Sequence, residues 1–407
     1  MESNSYSRRV LLLVFSISLF NYIDRQILYA VFPLIKEDLR LTDTELGFLA
    51  SSFMIVYTLF APFAGWFGDR VRRPLVIGAS AIFWSAATFF SGLIKSYPQL
   101  ILSRSLVGVG EAGYGTVSPS YLAEWFRPSV RARVMAFYSL AIPVGSAIGY
   151  LLGGWLGHHF GWRNAFFMVA VPGALLGTAA LFLRENPQKK DNGAIGLADY
   201  RELLRNKTYL LIAFSMAIAT FSVGGLAAWM PTYFVRTYGL NVAKAGFVFG
   251  AVTVCAGILG NSAGGLLADW LKKRTPRGYF IVGYLTFFAS IPFGLAAVLT
   301  EDFNTAIAMI FMAETLIFMH SGPYHAAIVE VTPLKIRSMA FAAAIFIFHA
   351  FGDAVSPTII GAVSDASGLA VAIFLAMLFL ALGGVTSALA GHFYMKEHAG
   401  KNADAAA

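Results

Sequence analysis

Residues 55–84 read IVYTLFAPFAGWFGDRVRRPLVIGASAIFW: two apolar runs joined by a knot of charge, Asp69-Arg70-Val-Arg72-Arg73. Followed outward, the runs extend to spans 44–68 and 75–95. That is the length of about 20 residues needed to cross hydrocarbon as a helix. Lipid offers the backbone no hydrogen-bond partners, so only helices and closed barrels cross it. Barrel strands alternate in polarity over about ten residues, and these runs are longer and uniformly apolar. The stretch therefore predicts a helical hairpin through a membrane, with its charges at one surface.

The pattern recurs along the chain. Further spans are expected at 10–35, 98–122, 133–158, 162–184, 207–236, 242–268, 277–299, 304–330, 336–362 and 368–395, twelve in all. Composition agrees: of 407 residues, 57% are apolar and 13% charged, whereas a soluble domain carries about a quarter charged residues. Mean hydropathy is +0.67. Arg8-Arg9 before an apolar run resembles a signal peptide. The run continues past Asp24 and Arg25 to Ile35, however, and reads as the first span. With the N-terminus in the cytoplasm, 22 of the 30 Lys and Arg fall in cytoplasmic segments and six in outer loops; two, Arg25 and Arg104, lie inside spans. This bias follows the positive-inside rule. It accounts for the net charge of +8 without nucleic acid. It also predicts both termini in the cytoplasm of a plasma membrane, the inner membrane in a bacterium. Cys255 is the single cysteine, so no disulfide forms within the chain.

The longest polar stretch, 185–206 (ENPQKKDNGAIGLADYRELLRN), sits at mid-chain and reads as a linker, with a short interfacial helix over 198–204. It separates an N-terminal six-helix bundle, 1–184, from a C-terminal one, 207–407. A repeat supports this division. Gly65-Trp-Phe-Gly-Asp69-Arg-Val-Arg72-Arg73 matches Gly265-Leu-Leu-Ala-Asp269-Trp-Leu-Lys272-Lys273. Pro119, Arg133 and Met135-Ala-Phe137 match Pro323, Arg337 and Met339-Ala-Phe341 in the same order. Parallel repeats of this kind occur in transporters whose halves rock about a central site. The expected fold is all-α: twelve transmembrane helices in two pseudo-symmetric bundles. The ordered charges at 65–74, repeated at Asp269, point to a cytoplasmic gate of Asp69, Arg70, Arg73 and Asp269. Gly65 and Gly68 would allow close helix approach there.

Gly65-x-x-x-Asp69-Arg70-x-x-Arg73 resembles the best-known signature of the major facilitator superfamily. Arg104 followed by Gly108 resembles a second signature, and Pro143-Val-Gly145 with Gly149 and Gly153 a looser third. That third departs from the usual Gly-Pro pair, because Ile142 precedes Pro143. Within the superfamily the chain resembles the spinster-like lipid transporters. The resemblance rests on Asn21-Tyr22-Ile23-Asp24-Arg25, on Gly108-Val-Gly110-Glu111-Ala-Gly-Tyr114 with Pro119-Ser-Tyr121, and on His349-Ala-Phe-Gly352-Asp353-Ala-Val-Ser356-Pro357. The run Gly108–Gly113 also fits the dinucleotide fingerprint, but no strand precedes it and it lies inside a span.

Ionisable groups within spans are costly and mark solute or proton paths. Asp24 and Arg25 lie on the first span. Arg104, Gly108 and Glu111 share one face of the fourth. Burial raises a carboxylate's proton affinity and a nearby arginine lowers it, so moving the arginine would switch Glu111. Glu111 is expected to accept the proton, with Asp24 sharing it or holding Arg25. Arg25 or Arg104, beside Tyr114 and Tyr121, would meet an anionic head group. The resemblance supports Asp24, Arg25 and Glu111 as functional positions and implies lysophospholipid or sphingolipid-like amphiphiles. The residues leave open a proton-coupled organic-anion or sugar-acid symporter, and a membrane-embedded lipid sensor or enzyme. In the C-terminal half, His349 and Asp353 stand four apart and can pair. His320 and His325 lack a third metal ligand. No nucleophile triad and no ATP-binding loop are visible. The expected protein is therefore not an enzyme, carries no cofactor, and works as a monomer in the bilayer on protons and a small amphiphile.

Overall fold

A computed structural model describes residues 4–68, 70–185, 201 and 203–406. Asp69 and most of the linker lie outside the described residues, as does most of the short helix expected over 198–204. Among the described residues the secondary structure is helical throughout, without a strand.

The chain forms two compact units. One comprises Met1–Lys190, Ala227–Val254 and Pro357–Asp365; the other comprises Asp191–Leu226, Cys255–Ser356 and Ala366–Ala407. The first unit holds α1 (Asn4–Ala30), α2 (Phe32–Leu39), α3 (Asp43–Gly68), α4 (Arg73–Leu93), α5 (Tyr97–Glu124), α6 (Pro128–Ser139), α7 (Ala141–Phe160) and α8 (Trp162–Leu181). It also takes the end of α9 (Lys207–Tyr238), the start of α10 (Val242–Lys272) and most of α15 (Ser356–Ser367). The second unit holds the rest of α9 and α10, with α11 (Gly278–Leu299), α12 (Phe303–Phe318), α13 (Ser321–Val331), α14 (Arg337–Phe348) and α16 (Leu369–Ala406).

Eleven helical stretches among the described residues are long and apolar enough to cross a membrane. The expected fourth span is α5. Its 28 residues suffice in length, but Arg104, Glu111 and its serines leave it less apolar than the others. Helix starts follow local chemistry. Prolines occupy the first turns of α2, α4, α5 and α6, where a missing N–H costs nothing. Thr42 and Glu45 form a reciprocal capping box at α3: Thr42 N donates to Glu45 Oε2 at 2.8 Å and Glu45 N to Thr42 Oγ1 at 3.2 Å. Asn206, Asn241 and Asp302 accept from the first turns of α9, α10 and α12.

Lipid supplies no hydrophobic drive between helices, so close packing needs small residues at the seams. Gly145, Gly149 and Gly153 run along one face of α7 against α1. A Cβ at Gly149 would sit 2.8 Å from Ile23 O, and one at Gly145 2.7 Å from Leu19 O. The looser third motif is therefore the α1–α7 seam. The expectation for the 65–74 glycines divides. A Cβ at Gly68 would meet the Val117 side chain, but none comes within 4 Å of Gly65 or of its repeat copy Gly265. Gly65 faces open space, so it brings no helices together.

The repeated prolines differ in setting. Pro119 lies inside continuous α5, whereas Pro323 opens α13 just after the chain breaks at Met319-His320. Between α14 and α15 the residues His349–Asp353 form a π-turn, with Gly352 at φ −102°, ψ −105°.

Candidate functional site

The glycines of the Gly108–Gly113 run place α5 at the centre of the first unit. A Cβ at Gly108 would lie 2.5 Å from Phe53 O of α3, and one at Gly110 2.9 Å from Trp84 N of α4. The helix is thereby held close on two sides, and its charged face turns toward α1. There the four ionisable groups form two pairs. Arg25 Nη2 donates to Glu111 Oε2 at 2.8 Å. Arg104 Nη1 donates to Asp24 Oδ1 at 3.3 Å, and Thr88 Oγ1 of α4 donates to Asp24 Oδ2. Two cations thus offset two anions, as burial requires.

The pairs differ in freedom. Asp24 uses both oxygens, and its partner Arg104 has no exposed surface. Glu111 is equally enclosed, yet its Oε1 is buried without a hydrogen bond among the described residues. Arg25 is the member nearest open space, with 12% of its side chain exposed. The rings of Tyr22, Phe53 and Tyr57 surround its guanidinium at 5.0, 4.8 and 5.5 Å, within cation–π range. Asp24, expected to share the proton or to hold Arg25, in this structure bonds Arg104, while Arg25 bonds Glu111. Adjacent helical residues do not face each other, so Asp24 turns to Arg104 and Arg25 to Glu111.

Tyr114 and Tyr121 are buried with their hydroxyls engaged. Tyr114 donates to Val14 O at 2.6 Å and Tyr121 to Arg184 O at 2.7 Å. In this conformation both pack the unit, and neither is open to a head group.

Two further charge clusters occupy the ends of the first unit. At the end reached by α2, Asp43 receives Arg236 as a fork, Nη1 to Oδ2 at 2.6 Å and Nη2 to Oδ1 at 2.7 Å. Lys36 and Ser364 also donate to this carboxylate. Asp365 accepts from the Asp43 and Thr44 backbone N–H groups, both at 2.8 Å, and so caps α3 from α15. Sequence reading missed this latch. Its signal was a carboxylate and an arginine at span ends, but they stand 193 positions apart. At the opposite end Arg73 is buried: it pairs with Glu124, and its Nε donates to Glu185 Oε1 at 2.7 Å. Arg70 is exposed and stacks on the Trp66 ring, 4.1 Å from its centroid.

In the second unit Asp269 is exposed. Its neighbour Lys272 carries the ion pair, donating to both Glu330 oxygens at 2.7 Å, while Tyr394 also donates to Glu330. His349 Nδ1 lies 2.9 and 3.1 Å from the two Asp353 oxygens, so this pair forms, on the π-turn.

Comparison with known proteins places this geometry. Residues 14–357 match the model of the Major Facilitator Superfamily. The chain is 31% identical over 388 residues to protein spinster homolog 1 of Xenopus laevis, covering 89% of this chain and 74% of that one. It is 30% identical over 366 residues to the sphingosine-1-phosphate transporter SPNS2 of Xenopus tropicalis, covering 85% and 71%. Its fold is that of a bacterial homolog of the human lysosomal transporter Spinster, solved inward-facing and unoccupied, with TM-score 0.88 and 23% identity over 97% of this chain and 99% of that one. With its buried charge pairs, its end clusters and these relatives, the chain belongs to the spinster family of transporters within the major facilitator superfamily.

Proposed function

We propose that this protein is a proton-coupled, alternating-access transporter of amphiphiles with an anionic head and one long apolar body, of the lysophospholipid or sphingolipid-phosphate class. One observation carries the reading: Arg25, partly open and ringed by aromatics, is held by a carboxylate with a free buried oxygen. An anionic head group competes with Glu111 for Arg25. Once Arg25 turns to the substrate, Glu111 is left as a buried carboxylate without its counter-ion, and it takes a proton. Asp24, fixed by Arg104 and Thr88, keeps helix register and shares no proton with Glu111. The name of the SPNS2 relative supports the head-group class. The aromatic surroundings of Arg25 suit a ligand with both a polar end and an apolar body.

In this reading the Asp43–Arg236 latch and the knot of Arg73 with Glu124 and Glu185 are the two gates, opened in turn. His349–Asp353 contributes at the π-turn, where irregular helix often marks a hinge. The division at 185–206 into two bundles, the monomeric state and cytoplasmic termini belong to the same proposal. They rest on the repeat and on the Lys and Arg bias.

The test is uptake into proteoliposomes under an imposed pH gradient, with a lysophospholipid, a sphingoid phosphate and a sugar acid as substrates. Wild type should concentrate an amphiphile, and Glu111→Gln should lose gradient-driven uptake while its fold survives. Preference for the sugar acid would overturn the substrate class. Gradient-driven uptake by Glu111→Gln would overturn the coupling site.

A further inference from the structure

The motif at 65–74 leaves two cations without a role in the gate. Arg73 is consumed by Glu124 and Glu185. Arg70 instead stands exposed, bonded among the described residues only to Trp66 O at 3.0 Å, on its own helix. Arg72 is exposed at the residue preceding α4.

Beside them lies a groove. Helices α3 and α4 are joined by a short turn, yet each packs on α5 more than along the other. They part to leave a cavity of about 640 Å³, within the size range of ligand sites. Its floor is Val109, Gly110 and Gly113 of α5; its walls include Phe63, Phe67 and Phe83. Phe63, Phe67 and Phe83 are 67%, 50% and 43% exposed, so the groove is open along its length. Trp66 lines the groove and carries Arg70 on its ring. Tryptophan and arginine mark the level of lipid head groups. The groove thus runs from that level into the hydrocarbon, apolar within and cationic at its mouth.

We propose that this groove holds one acyl chain of a bilayer phospholipid whose anionic head group is met by Arg70 and Arg72. The occupant is a resident of the membrane rather than the transported molecule. By sequence Asp69 offsets one of these two charges, which leaves the run 69–72 net positive. An acyl chain lying on Gly110 and Gly113 presses on the helix that carries Glu111 from its opposite side.

The test uses the full-length protein in bilayers with phosphatidylglycerol or phosphatidylcholine, each carrying the same diazirine-bearing acyl chain. Light-induced adducts are mapped by mass spectrometry. Phosphatidylglycerol should label segments 60–67, 75–83 and 109–113 more than phosphatidylcholine does. Removing both cations, in Arg70→Gln with Arg72→Gln, should lower phosphatidylglycerol labelling there about thirtyfold, the loss of two juxtamembrane charges. Ala79→Phe, at an exposed lining residue, fills the groove and should abolish labelling by both lipids. Equal labelling by the two lipids in wild type would overturn the head-group assignment without any variant. Adducts that ignore Ala79→Phe would overturn the groove.

Discussion

Asp43→Asn tests how one end of the first unit is closed. The Asp43 side chain is 4% exposed and its carboxylate takes four side-chain donors, two from Arg236 and one each from Lys36 and Ser364. Asparagine keeps the volume, loses the charge, and turns an amide NH₂ toward donors. Hydrogen bonds to a charged group contribute roughly 1.5–3 kcal/mol each when buried. Arg236 and Lys36 are 31% and 34% exposed. Water therefore screens the pairs and rehydrates both cations on release, which brings the whole substitution down to about 2 kcal/mol. That shifts a two-state opening about thirtyfold. The assay is the rate of maleimide labelling of a cysteine at position 51, in a Cys255→Ala background. Ser51 is 1% exposed and bonded to Thr358 of α15, so it reacts only when this end opens. Asp43→Asn should raise the rate about thirtyfold, and adding Arg236→Gln should change it little further, because both remove the same fork. An unchanged rate in Asp43→Asn, or full additivity of the two substitutions, would refute the latch.

Arg104→Met strands Asp24 with Thr88 as its remaining donor and should cost about 3–5 kcal/mol. Thermal unfolding followed by gel filtration should show the loss, with partial recovery in the double variant with Asp24→Asn; a stable single variant would contradict the pairing. Gly149→Val forces a side chain against Ile23 O and should cost at least about 1–3 kcal/mol through overpacking. Gly65→Ala, in open space, should leave the unfolding temperature alone.

Much of the fold was legible because membrane spans are written in composition and length. The weakest span by that measure, α5, was still found, since Arg104 and Glu111 interrupt an otherwise apolar run at one-face spacing. The residues of the charge site were legible for the same reason: charge inside a span is rare enough to name its own candidates. Their pairing was not. It depends on how α1 is rotated against α5, and that rotation is fixed by Gly145, Gly149 and Gly108 at seams that periodicity does not reveal. Thr88 gave no sign, being one of many hydroxyls in spans. Asp43 gave no sign either, because its partners Arg236 and Ser364 come from helices far along the chain. Tyr114 and Tyr121, expected beside a head group, are met in this conformation by backbone carbonyls. A tyrosine beside glycine and charge looks like a ligand contact, yet a backbone carbonyl within reach satisfies it just as well.

The switching of Glu111 is tested most directly by infrared difference spectroscopy of the protein in bilayers, comparing acidic with alkaline buffer and substrate with none. A protonated-carboxyl band should grow on acidification or substrate binding, vanish in Glu111→Gln, and persist in Asp24→Asn. A band that survives Glu111→Gln, or is lost only with Asp24→Asn, would mean that the proton rides elsewhere.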